Sequence, residues 1–103
     1  MRPRILFVSA SRPSLVVAPN PGGAAGYTVS FGMPVAGRVA LSIFDVAGRR
    51  VATLLDGDRP PGAARLRWDD RSAQGRPVGG GVYFARLDTA AGARTVKLVH
   101  LDR

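Results

Sequence analysis

Ala64-Arg65-Leu66-Arg67-Trp68 alternates apolar and basic side chains without a slip. In an extended chain, successive side chains point to opposite faces. Ala64, Leu66 and Trp68 therefore share a core face, and two guanidinium groups stand in water on the other. The same period of two recurs upstream. Tyr27, Val29, Phe31 and Met33 alternate with Thr28, Ser30 and Gly32, and Pro34 ends that run. Gly37 opens Arg38–Asp45, where Val39, Leu41 and Ile43 face one way and Phe44 breaks the alternation.

Turn residues separate these runs. Leu15–Val17 reads as a short first strand, closed by Ala18-Pro19-Asn20-Pro21-Gly22-Gly23. Asp45-Val46-Ala47-Gly48 has Asp first and Gly where a positive φ is favoured, which predicts a tight turn into a back-strand over Arg49–Leu54. A second turn region is expected over Asp56–Gly62, and a long polar loop over Asp69–Gly81. Val82–Leu87 is apolar on both faces, as expected of a strand in the middle of a sheet, and Arg94–Leu101 is the last strand. Gly, Pro and β-branched residues interrupt every window in which a helical period starts.

Seven short strands at regular spacing predict an all-β fold, an Ig-like β-sandwich of antiparallel strands. There is no cysteine, so no disulfide joins its sheets. Trp68 and Tyr83 are the largest expected pieces of the core, each ring contributing about 2–3 kcal/mol when buried. Tyr83 opens its strand, which positions its hydroxyl to bond nearby backbone.

At 103 residues the chain is one domain's worth. Residues 1–14 are expected to be an N-terminal extension or linker remnant, and 15–103 the sandwich. The apolar stretch Ile5–Val8 is shorter than the ~7–15 residues of an export signal's central region. No run approaches the ~20 apolar residues of a membrane helix, so no membrane insertion is expected. The formal charge of +8 favours anionic partners. The basic residues are nearly all Arg and are spread along the chain, a pattern that GC-rich codon usage also produces.

The inventory argues against catalysis, and no cofactor or metal is expected. His100 is the only histidine and no Gly-x-Ser-x-Gly elbow occurs. Asp69 and Asp70 are adjacent, so on a strand end they point apart and cannot face one substrate atom. Gly79-Gly80-Gly81 lacks the following Lys-Ser/Thr of a phosphate cradle and is expected to let the backbone pass close to its neighbours. Asp56, Asp58, Asp69 and Asp70 read as turn residues before they read as calcium ligands. Arg49, Arg50, Arg65 and Arg67 form a candidate basic stripe. The aromatic residues fall mostly at core positions, which argues against specific nucleic-acid binding.

From about Val16 onward the chain resembles the FlgD Ig-like family and the related C-terminal sorting domains of the type IX (Por) secretion system. The resemblance rests on ordered motifs. They are Asn20-Pro21, Phe31-x-Met33-Pro34-x-x-Gly37, Ile43-Phe44-Asp45-Val46-Ala47-Gly48-Arg49-Arg50-Val51, Pro61-Gly62 followed by Trp68-Asp69, and Gly75-Arg76-Pro77-Val78 with Gly81-Val82-Tyr83-Phe84. Lys97 matches a last-strand lysine. Two positions depart from the pattern. Asp70 replaces a glycine after Trp-Asp, so that turn is expected to be built differently. Gly22 stands where an aromatic often follows Asn-Pro.

The resemblance implies a non-catalytic module that directs export and surface attachment of a secreted protein. Its implied partners are secretion machinery or neighbouring domains, and the domain itself is expected to be monomeric. The alternatives are a structural scaffold of the flagellar hook-cap type and a polyanion- or carbohydrate-binding sandwich. Asn20, Pro21, Asp45, Gly48, Arg49, Trp68, Asp69, Gly81 and Tyr83 carry the family motifs as structural residues. Arg49, Arg50 and Lys97 are the expected partner-recognition residues.

Overall fold

The computed structural model describes residues 12–20 and 25–101. Pro21 and Gly22, like residues 1–11 of the expected extension, lie outside the described residues. The chain forms β1 (Ser14–Pro19), β2 (Tyr27–Met33), β3 (Gly37–Asp45), β4 (Arg50–Arg59), β5 (Gly62–Trp68), β6 (Gly81–Thr89) and β7 (Gly92–His100). All pairings are antiparallel. They build a three-stranded sheet of order β1-β2-β5 and a four-stranded sheet of order β4-β3-β6-β7.

The two inner faces meet in one core. Val29, Val39, Leu41, Ile43, Ala85 and Leu87 have no exposed surface, and Trp68 is 2% exposed. The alternation read in β2, β3 and β5 is the one observed, with Arg65 and Arg67 outside. β6 lies between β3 and β7, as its middle position was expected to be.

Strand order follows from the connections. The Asp45–Arg49 turn is too tight to let β4 leave the sheet of β3. In the constant-type immunoglobulin arrangement the fourth strand joins the sheet of the first, second and fifth. Here the crossing to that sheet is delayed to Pro60-Pro61, between β4 and β5, where two residues in succession lack a ladder donor.

Several boundaries differ from the sequence reading. β4 does not end at Leu54 but pairs with β3 as far as Gly37↔Arg59. Asp56, Gly57 and Asp58 are strand residues, because a nine-residue β3 offers them ladder partners that local turn propensity does not see. Arg38 clasps Asp56 across the pair at 2.6 Å. β1 runs on through Ala18 and Pro19, paired with Thr28 and Tyr27. Proline is tolerated there because β1 is an edge strand and Pro19 is its last residue. The register of β3 against β4 shifts after Leu41 and again after Ile43, leaving Leu54 and Val51 as the extra residues on β4. β3 itself keeps its alternation, and Phe44 is an apolar side chain on its outward face.

Candidate functional site

Two groups of side chains stand out, one inside the sandwich and one outside. The inner group is a closed cluster of four rings shared between the sheets. Tyr27 and Trp68 are register partners on β2 and β5, and their rings stack at 5.7 Å. Tyr83 of β6 meets Trp68 edge-on at 6.3 Å, and His100 of β7 meets Tyr83 at 6.3 Å and Tyr27 at 5.8 Å. Each ring thus touches two others, in the offset and edge-on geometries that aromatic quadrupoles favour.

Each ring of this cluster uses a polar atom in a hydrogen bond. Trp68 Nε1–H donates to the Arg71 carbonyl at 2.9 Å, and Tyr83 Oη–H to the Gly79 carbonyl at 2.7 Å. The second of these is the backbone bond expected of Tyr83. Tyr27 Oη and His100 Nδ1 share a hydrogen bond at 2.9 Å. Burial, with the Asp70 carboxylate adding to it, pushes the Tyr27 phenol above its ordinary pKa. His100, the last residue of the edge strand β7, is thereby tied to the opposite sheet. Its partner lies 73 positions away, so no local pattern announces the contact.

Three loops hold this end. Asn20 is buried. Its amide donates to the Ala25 carbonyl at 2.7 Å and its Oδ1 accepts from Thr28 Oγ1 at 2.6 Å. Gly26 has φ +91, and a Cβ there would run into the Trp68 carbonyl oxygen, so only glycine lets this loop cross the indole's strand. Asp69 Oδ1 accepts from the Arg71 amide. Asp70 has φ 55, the left-handed backbone that glycine favours. The turn after Trp68 thus keeps a conformation suited to glycine instead of being rebuilt around the aspartate. Asp is among the few side chains that enter this region at modest cost.

At the β3–β4 turn, Asp45 Oδ1 accepts from the amides of Ala47 (3.0 Å) and Arg49 (2.9 Å), and Oδ2 meets Arg49 Nε at 3.0 Å. Gly48 completes the turn with φ +84. The Arg49 amide above all, with its guanidinium and the Ala47 amide, outweighs burial and holds the Asp45 carboxyl below the usual range. Arg49 is thereby tied into the turn. Gly81 opens β6, and no atom lies within 4 Å of where a Cβ would stand at Gly79 or Gly81. The close backbone approach expected of this glycine run is absent at both positions.

The outer group lies on the solvent face of the four-stranded sheet. Phe44 pairs with Arg50 on β4 and with Phe84 on β6, and Phe84 pairs with Lys97 on β7. Register partners share a face, so Arg50, Phe44, Phe84 and Lys97 form one row across all four strands. Val82 and Val99 pair two positions along on the same face, and Val99 is 56% exposed. Neither phenylalanine belongs to the core cluster or packs against it. The aromatic residues are mostly core residues, as expected: Tyr27, Phe31 and Trp68 lie in the core and Tyr83 packs against it, and Phe44 and Phe84 are the exceptions among the described residues. Plain alternation turns both outward, Phe44 after the buried Ile43 and Phe84 after Tyr83.

The row brings Arg50 and Lys97 together on one face, which the sequence did not reveal. The basic stripe does not form, because Arg49 and Arg50 sit on the four-stranded sheet's hairpin and Arg65 and Arg67 on the other sheet. Among the described residues no three of His, Cys, Asp or Glu gather as a metal ion would require.

No family model and no curated protein matches the chain. Solved structures do. The chain superimposes on part of dimeric latent PorU from Porphyromonas gingivalis with a TM-score of 0.67 at 20% identity, covering 88% of this chain and 9% of that one. It fits PorZ, an essential surface component of the type IX secretion system of the same organism, with a TM-score of 0.59 at 20% identity, over 87% of this chain and 12% of that one. FlgD from P. aeruginosa gives 0.53 at 19% identity, over 88% of this chain and 68% of that one. The fold is the one shared by these three proteins. The chain spans about a tenth of the length of PorU and PorZ, so it corresponds to one module of each.

Proposed function

We propose that the chain is a non-catalytic module that directs export and surface attachment of a larger secreted protein. The observation that supports this reading best is the fold in common with single modules of PorU and PorZ, the second a surface component of a type IX secretion system. The use of the polar groups agrees with it. The imidazole Nδ1, the indole N–H, the phenol of Tyr83 and the Asn20 amide each hold loops or sheets together. What remains for a partner is surface.

The test is delivery. The full chain fused behind a periplasmic reporter is expected to bring it to the cell surface in a host with a type IX system, and to leave it in the periplasm of a host without one. Periplasmic retention in both hosts refutes the reading. FlgD, of which the chain covers 68%, supports a second reading as an assembly scaffold. That reading expects self-association in sedimentation at high concentration, and a strict monomer removes it.

A further inference from the structure

The outer row of the four-stranded sheet has a feature that a solvated sheet face does not need. Three ion pairs form among the described residues: Arg38–Asp56, Arg49–Asp45 and Arg86–Asp88. Two of them, Arg38–Asp56 and Arg86–Asp88, neutralise charges at strand positions elsewhere on this sheet. Arg50 and Lys97, at the two ends of the row, have no ion-pair partner among the described residues, and both are exposed. Between them lie Phe44 and Phe84, half-buried and outside the core, with Val82 and Val99 alongside. A face with two unpaired cations and an apolar centre complements a partner with two anions and an apolar centre.

The spacing narrows that partner further. Neighbouring strands lie ~4.8 Å apart, so the β4 and β7 ends of the row are roughly 14 Å apart. An extended chain rises ~3.3 Å per residue, so positions i and i+4 are about 13 Å apart and point the same way as i+2.

We propose that this row docks an extended, acidic segment of another protein with the pattern acidic-x-apolar-x-acidic, laid across the strands. Its carboxylates meet Arg50 and Lys97, and its central side chain covers Phe44 and Phe84. The proposal rests on the reading of the chain as a partner-binding module, and it adds the surface and the chemistry of the partner.

The probe is a peptide containing Glu-Thr-Leu-Thr-Glu between Gly-Ser flanks, titrated into the isotope-labelled full chain at low salt and followed by amide shifts. Shifts centred on Phe44, Phe84 and Lys97 are expected, weakening as salt screens the charges. A Lys-Thr-Leu-Thr-Lys peptide is expected to bind about tenfold more weakly, the loss appropriate to two surface ion pairs. The double variant Arg50→Glu, Lys97→Glu reverses that preference. Phe84→Ser, with its fold checked by Trp68 fluorescence, loses binding to both peptides. Equal shifts from the two peptides, shifts centred on Arg65 and Arg67, or a dimer that occupies the row instead overturn the proposal. Reporter delivery uses no peptide, so the two readings fail separately. If peptide binding is absent while delivery persists, only the docking row is refuted.

Discussion

Tyr83 and Phe84 are neighbours in the chain and occupy opposite worlds. Tyr83 joins a four-ring cluster that ties the two sheets together, with its hydroxyl bonded to backbone. Phe84 lies in an outward row, half-buried beside Phe44 and outside the core. Composition and local propensity treat the two alike. The parity of a strand, set by which face is buried, makes one a fastener and leaves the other to a partner. An aromatic side chain therefore reports function only once its face is known.

The largest effect separates the two regions most sharply. Trp68→Ala should cost about 3–5 kcal/mol in urea unfolding, the range for deleting a buried aromatic ring, and should leave the domain marginal. Phe84→Ser is expected to cost less, about 1–2 kcal/mol, the loss of a half-buried ring and of its cross-strand pairing with Phe44. Comparable losses would break the distinction between fastening and docking rings.

Gly26→Ala should come next, at about 1–3 kcal/mol, because the added carbon meets the Trp68 carbonyl and the backbone has φ +91. A neutral result would mean that the Asn20 loop is not part of the cluster's frame. Tyr83→Phe keeps the ring and removes its bond to Gly79, so about 1 kcal/mol should be lost with the core fluorescence unchanged. Asp70→Gly should raise stability by about 0.5 kcal/mol, the relief of a left-handed aspartate less the freedom glycine adds to the unfolded chain.

The smallest signal is a pH slope. The folded phenol of Tyr27 lies above its unfolded value, so above pH of about 10 the unfolded chain loses its proton first. Stability should fall as pH rises from there, and the urea midpoint of Tyr27→Phe should lose that part of the fall. Asp45 titrates the other way. Its depressed carboxyl contributes stability above the unfolded value, and that contribution goes as pH drops through the folded one.

Most of the fold was legible because half-buried strands write their period into the chain. β2 was bounded to the residue, β3 and β5 to within two, and the Asp45–Gly48 turn was identified by residues with specific backbone roles. The errors cluster where a partner strand overrides local preference. Asp56-Gly57-Asp58 has the composition of a loop and lies in a ladder, and Pro19 closes a strand. The candidate sites were less legible. Trp68 and Tyr83 were placed together, but Tyr27 and His100 were not joined to them, since their contact is non-local. Arg50 and Lys97 were named with Arg49 as partner-recognition residues, with no sign that Phe44 and Phe84 lie between them.

By itself, the order of apolar and polar residues decided that the chain is a seven-stranded sandwich, and which residues of β2, β3 and β5 point inward. Alternation is a local property, so the chain carries it openly. Tertiary structure alone decided what stands beside what across strands. That depends on register: two slips between β3 and β4 bring Arg50 opposite Phe44, in the row that the unbroken registers of β3 with β6 and β6 with β7 complete with Phe84 and Lys97. Register is fixed by the sum of all ladder bonds and core contacts together, and no single stretch of the chain records it.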